Sequence, residues 1–530
     1  MDSVETIVWV VLFVIVTVAV TGVTGRFNWS APVALVAIGA AASFTPFVPD
    51  LEIEPDLILY ALLPPLLYAT AIRTSVVDIR ARLDSILLLS VGLVAFTFFT
   101  VGLTAWLVVP GITLAAGLAF GAVVAPTDTV AVNAVVGRLR LPRRLVTVLE
   151  GESLLNDAVA LVALNASILA ITTAVTPGAV ALELVLAVVV GLAVGVGVGW
   201  VFSLIRRRVD SPVLDTSLSL IVPYVAFIPS QLLHGSGVLA VVVAGLYLGF
   251  RSPIIQSAPA RVAESINWRT IGFLLENAVF LLIGLSLSSI VEGAVDDSPG
   301  PGRTVVIIVV LLLAVFLSRA VWVALSYGAY RVLPVIRPRR WGWRTSVAVA
   351  ASGVRGVVTL VAVFLLPPET PHRAFLQLLA VVVILGSLLA GLALPALIRA
   401  LRLPPPNESQ ERTQRQLLAA EAQAAGLELL EGIDTSGVDD RVLHRLRENA
   451  RFLADVGDLS DESDEPQLMA YTKLRKKMIA GERQAVVAAR AEGRFEEYAV
   501  RDVIAAIDAE EIALRLSSAT SVPASQRRAG

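Results

Sequence analysis

Cysteine is absent from the 530 residues, which excludes disulfides, thiolate nucleophiles and cysteine-held metals. Histidine is scarce: His234, His372 and His444 stand far apart, and no zinc-type cluster can be drawn from their spacing. Charge is scarce too, at 16% of residues against 56% hydrophobic, with a mean hydropathy of +0.78. A soluble domain needs a charged exterior, and roughly the first 400 residues cannot supply one, so the chain reads as a polytopic membrane protein. All lysines (Lys473, Lys476, Lys477) lie beyond Pro406, with a dense mix of acids and arginines. The division is therefore a transmembrane domain over 1–403 and a cytoplasmic tail over 404–530. The N-terminus, MDSVETIVWVVLFVIV, carries acids but no basic n-region. It reads as a first spanning helix with its N-terminus outside, not as a cleaved signal peptide.

A helix needs roughly 20 apolar residues to cross a ~30 Å hydrocarbon layer. Thirteen spans follow, at 5–25, 31–48, 55–72, 83–109, 111–137, 144–173, 179–205, 213–233, 235–250, 266–291, 303–331, 344–366 and 373–401. Alternate loops are rich in arginine, from Arg26 through Arg73, Arg80 and Arg82 to Arg337, Arg339 and Arg340. The opposite loops are short or acidic: PDLEIEPD, TPGAV and VEGAVDDSPGPGR. The positive-inside rule puts the basic loops, and the C-terminus, in the cytoplasm of a cell (plasma) membrane protein. The tail has amphipathic helical spacing after PPPN and again over 465–516, split by the acidic linker DLSDESDEP. No ligand motif accompanies it.

Ionisable residues inside spans mark functional sites or paired structural charges. The candidates are Asp128 in span 5, Glu152 and Asp157 in span 6, Glu276 in span 10, Arg319 in span 11 and Arg355 in span 12. At 1.5 Å rise per residue, Asp128 lies roughly 14 Å from the inner end of its span, Arg355 roughly 16 Å and Asp157 roughly 18–20 Å. They share one layer near the membrane middle. Glu150 lies nearer the inner surface and reads as a solvated funnel carboxylate.

The sequence around these charges departs from plain helix. In GAVVAPTDTVAV, Pro126 donates no backbone hydrogen bond and precedes Thr127 and Asp128. In ASGVRGVVTL, Gly353 and Gly356 flank Arg355. Two interrupted spans of opposite direction fit an inverted repeat whose broken helices cross at a binding site. In EGESLLNDA, Ser153 and Asp157 are i, i+4 neighbours on one face, and Glu152 and Asn156 form a second such pair about 100° round. One face can offer a hydroxyl and a carboxylate to a ligand while the other holds a structural network.

In this order, APTDTVA, EGESLLNDA and SGVRGVV resemble the NhaP/NHE-type sodium/proton antiporters of the monovalent cation:proton antiporter superfamily, with LPPLLY and LLENAVFLLIGLSL matching as well. The resemblance covers roughly residues 5–401. It implies an all-α fold of about 13 transmembrane helices with inverted repeats, two crossing broken helices (spans 5 and 12), a dimerisation domain and a mobile six-helix core. It also implies a homodimer in membrane lipid, a secondary transporter rather than an enzyme, with no cofactor and no nucleic-acid partner. Carried over by motif, Asp157 would bind the cation or proton, with Ser153 and the region of Thr127 as oxygen ligands. Asp128 and Asn156 would stabilise the crossing, and Asp128 could reach the ion through water. Glu152 would pair with Arg355, and Glu276 with Arg319. The Asn156–Asp157 pair resembles the electroneutral branch. Relatives of NhaP type often carry an acid where this chain has Ala69, so its site has one carboxylate fewer.

The chemistry follows from burial. Desolvation disfavours a bare carboxylate, so a proton can compete for Asp157, and a hard cation prefers carboxylate and hydroxyl oxygens. One site can then hold H+ or Na+ (or Li+ or K+), and exchange becomes obligatory if only loaded forms cross. Three rival classes fit the residues less well. An intramembrane aspartyl protease usually carries GxGD, absent here. A cation channel would not need the paired arginines and broken helices. A transporter of larger anions would want unpaired arginines.

Overall fold

The computed structural model describes residues 3–27, 29–45, 57–128, 141–173, 176–332 and 342–404, with 509, 510 and 513. The chain packs as two compact units, Met1–Pro406 and Asn407–Gly530. The helices named here belong to the first. Apart from residues 509, 510 and 513, the predicted tail helices lie outside the described residues, as do the PDLEIEPD loop and the second half of span 5.

Among the described residues, eight helices are long and apolar enough to cross a membrane, and four shorter apolar helices accompany them. The order begins with α1 (Ser3–Phe27), α2 (Ala31–Ser43), a π turn (Leu57–Leu62) running into α3 (Leu63–Ala71), and the short α4 (Val76–Ala81). Next come α5 (Leu83–Leu87), a second π turn (Leu88–Leu93) leading into α6 (Val94–Val108), and α7 (Leu114–Val124). The long helices α8 (Arg143–Thr172), α9 (Pro177–Arg206), α10 (Pro212–Leu232), α11 (Gly237–Ile255) and α12 (Ala258–Leu285) follow. Beyond them are α13 (Leu287–Asp297), α14 (Pro301–Val332), α15 (Trp343–Ala351), α16 (Val357–Phe364), α17 (Arg373–Gly391) and α18 (Leu394–Leu401).

The thirteen predicted segments do not all form single continuous helices. Helix α7 stops at Val124, just before Pro126. Predicted span 12 is two short helices, α15 and α16, separated by the non-helical Ser352–Gly356. The acidic stretch predicted as a loop after span 10 is largely helical: Ile290 and Ala294, one turn apart on α13, are both buried.

Helix contacts fall into two groups. Helices α1, α2, α3 and α9 to α12 pack mainly on one another, and α6, α7, α8 and α14 to α17 form the other set. Small residues set the closest approaches. An added Cβ at Gly39 of α2 would lie 2.9 Å from the Cα of Gly284 on α12, so these two backbones touch where no side chain intervenes.

One face of α12 is built on a four-residue repeat: Glu264, Trp268, Gly272 and Glu276. It lies along α3. The Trp268 and Tyr68 rings sit 4.8 Å apart, and Gly272 faces Ala69. At its start is a buried ion cluster. Arg206 donates to both oxygens of Asp215 (2.8 and 2.7 Å) and to Glu264 at 2.7 Å. Gln256 donates to both acids (2.7 and 2.9 Å), Ser219 donates to Glu264, and Trp268 Nε1 donates to Ser219 at 2.9 Å. Four helices, α9 to α12, are thereby tied at one point.

Removing the guanidinium would leave two buried carboxylates facing each other. Arg206→Ala is expected to cost about 3–5 kcal/mol. The check is its thermal midpoint in detergent, with Asp215→Asn expected to fall less because one acid–guanidinium pair survives.

Candidate functional site

Helix α8 carries EGESLLND as unbroken helix, so its two faces diverge as the spacing predicts. On one face, Glu152 meets Arg319 of α14 in a two-pronged pair: Nη1 to Oε1 at 2.5 Å and Nη2 to Oε2 at 3.1 Å, with both side chains 2% exposed. Arg319 Nε donates to the Val349 carbonyl at 3.0 Å. Thr127 Oγ1 donates to Glu152 Oε1 at 2.9 Å. Asn156 Nδ2 donates to the Thr127 carbonyl (3.1 Å) and hydroxyl (3.0 Å). The Thr127 hydroxyl proton is thus committed to this network.

These partners differ from the expected pairings. Glu152 pairs with Arg319, not with Arg355, and Glu276 does not pair with Arg319. The reason lies in the two helix ends. Where α7 stops, the Val124 carbonyl loses its helical partner, and Arg355 Nε donates to it at 3.1 Å. Arg355 Nη1 donates to Gly353 O at 2.5 Å, and its backbone N–H donates to Ser387 Oγ at 2.9 Å. A guanidinium at helix C-termini also meets the negative end of the macrodipole. Arg355 therefore neutralises freed backbone, and Arg319 is left for Glu152. The two non-helical stretches join directly, Asp128 N–H donating to the Val354 carbonyl at 2.8 Å. A Cβ at Gly356 would collide with the Asp128 carboxylate, so glycine is required there for packing.

The other face of α8 opens onto a cavity. Its lining includes Thr127, Asp128, Ser153, Asp157, Glu276 and the α16 start from Gly356 to Thr359. Leu66, Leu67 and Thr70 of α3 form the wall from the first helix group. Among the described residues, Asp157 neither accepts a hydrogen bond nor forms an ion pair, and the same holds for Glu276. Glu152, Asp215 and Glu264 each have a guanidinium partner. The structure thus brings Asp157, Ser153, Asp128 and Thr127 to one space and adds Glu276, which the sequence reading had assigned to a structural pair. Ala69 is buried beside Gly272 and is not part of the lining. The sequence reading also missed the Arg206 cluster, because Asp215 and Glu264 lie near predicted span ends. The signal was available: two acids flanking arginine-rich loops.

A model of the transmembrane sodium/hydrogen exchanger family matches residues 10–400. The chain belongs to that family. The exchanger is 31% identical to an uncharacterized Na(+)/H(+) exchanger of Mycobacterium tuberculosis, over 95% of this chain and 96% of that one. It is 30% identical to a sodium, potassium, lithium and rubidium/H(+) antiporter of Bacillus subtilis, over 73% of this chain and 61% of that one. The solved sodium proton antiporter MjNhaP1 of Methanocaldococcus jannaschii matches in fold, with a TM-score of 0.60 at 18% identity, covering 76% of the exchanger and 99% of that chain. The exchanger is accordingly a multi-pass membrane transporter of the NhaP-type antiporter family, whose members exchange cations for protons.

Two variants test this network. Glu152→Gln leaves Arg319 buried without a counter-charge and is expected to lower both the thermal midpoint and the folded yield, by about 3–5 kcal/mol of stability. Gly356→Ala forces Asp128 to move and should cut exchange at least about tenfold in proteoliposomes while the chain still folds.

Proposed function

We propose that the protein exchanges one monovalent cation, Na+ foremost with Li+ and K+ as further candidates, for one proton across the plasma membrane. The carrying observation is that Asp157 lines the cavity with no ion pair or hydrogen bond among the described residues, while Glu152 beside it is neutralised by Arg319. A carboxylate held in that way is open to a proton or a cation. Ser153 and the Thr127 region supply further oxygens, and Asp128 and Asn156 hold the crossing of the two interrupted segments. Alternation follows if the helix group bearing Asp157 shifts against the other when Asp157 is loaded and stays put when it is bare, since a naked charge crossing the hydrophobic seam is costly.

Further parts of this reading concern the whole assembly. It has thirteen spans in inverted repeats, an outside N-terminus, a cytoplasmic helical tail over 404–530 and a homodimeric state. Electroneutral exchange is supported by Asn156 standing beside Asp157 where a second acid would add a second titrating group. The B. subtilis relative's name spans four alkali cations, which supports testing potassium and lithium beside sodium.

The experiment is cation-dependent dissipation of a pH gradient in proteoliposomes, with Na+, Li+ and K+ in turn and a voltage probe alongside. Asp157→Asn is expected to abolish cation-coupled proton movement, at least about 100-fold, while the protein stays folded. Near-normal exchange in that variant would overturn the reading. A voltage signal scaling with flux would replace one-for-one exchange by an electrogenic ratio, and flux needing no counter-ion would favour a channel.

A further inference from the structure

The cavity has walls from both helix groups. Asp157, Ser153, Thr127, Asp128 and the α16 start come from the group that holds the Glu152–Arg319 pair. Glu276 comes from α12, in the other group, and is the sole α12 residue among those lining the cavity. The arginine expected to neutralise it is engaged twice over, by both Glu152 oxygens and by the Val349 carbonyl. Its position is also fixed. Helix α12 is anchored at Glu264 by the Arg206 cluster and is locked against α2 at Gly39 and Gly284.

A half-buried carboxylate inside a membrane domain must find a proton, a counter-charge or a cation. An alkali ion stripped of water needs several oxygens in place of its hydration shell. A second carboxylate on a fixed wall meets that need without moving with the ion. We propose that Glu276 is an oxygen ligand of the transported cation from the stationary side of the seam, so that it strengthens cation binding while the two walls face each other, as they do here, and releases the ion when the Asp157 group moves away. This inference rests on the exchange reading at Asp157. It assigns Glu276 a share in affinity and none in stoichiometry, because only Asp157 travels with the load.

The test uses the full chain in proteoliposomes with sodium as the probe, measuring initial exchange rates over a range of sodium concentrations. Glu276→Gln is expected to raise the half-saturating sodium concentration about tenfold, with the maximal rate kept within about threefold. Glu276→Asp, which keeps the charge one methylene further back, should fall between. An unchanged half-saturation in Glu276→Gln overturns the inference. So does a lower maximal rate at unchanged half-saturation, which would mean a structural role. If the Gln variant does not purify as a folded protein, the Asp variant decides by the same measure. Sodium-dependent thermal stabilisation in detergent gives a second readout: the variant should need about ten times more sodium than the parent for the same shift. An inactive Asp157→Asn beside a parent-like Glu276→Gln would sink this inference alone, whereas an active Asp157→Asn would remove the reading beneath it.

Discussion

The buried pair between Glu152 and Arg319 is the constraint from which the site is built. Two opposite charges, both almost wholly shielded from solvent, are tolerable in an apolar interior only because the geometry is two-pronged and the remaining polar atoms are engaged. Once Glu152 is fixed, it holds Thr127, and Thr127 is in turn held by Asn156 of the same helix. That chain of bonds sets where the non-helical stretch after Val124 runs. Asp128 then meets Val354 through its backbone, and Gly356 leaves room for its side chain. The face of α8 one-third of a turn away is left for chemistry. Separating a silent face from a reactive one on a single helix is what lets Asp157 stay unneutralised while Glu152, about one and a half turns before it, is arginine-bound.

Much of this was legible in the sequence. Pro126 marks the end of α7, because a missing N–H cannot continue the ladder. Gly353 and Gly356 bracket the gap between α15 and α16. The i, i+4 spacing separates Ser153 and Asp157 from Glu152 and Asn156. Partner choice was not legible. Either arginine could serve either acid on depth alone, and the outcome depends on which one sits beside a freed carbonyl. The Val124 carbonyl decides it, and its position is a property of the folded backbone. Glu276 was misread for a related reason. A glutamate and an arginine at equal depth look like a pair in one dimension, but the structure sets them in different helix groups.

The seam between the two groups explains why the cavity exists. Within each group, glycines and small residues bring backbones into contact, as Gly39 and Gly284 do. Between the groups, the cavity walls are leucines, valines, threonines, a serine and carboxylates, with open space between them. A contact of that kind can be remade in a second register, whereas glycine-on-glycine packing cannot slide without a clash. The sites of rigidity and of possible movement are therefore written in side-chain size.

Helix α12 has a mechanical consequence. Its ion cluster at Glu264 and its cavity residue Glu276 are twelve positions apart on one stiff rod, about 18 Å at helical rise. The rod is held on both sides of Glu276, at Glu264 and at Gly284, so the place of the carboxylate against the other helix group is set by two contacts that lie outside the cavity. Loosening the Arg206 cluster would remove one of those two holds, even though no side chain of that cluster is among those lining the cavity.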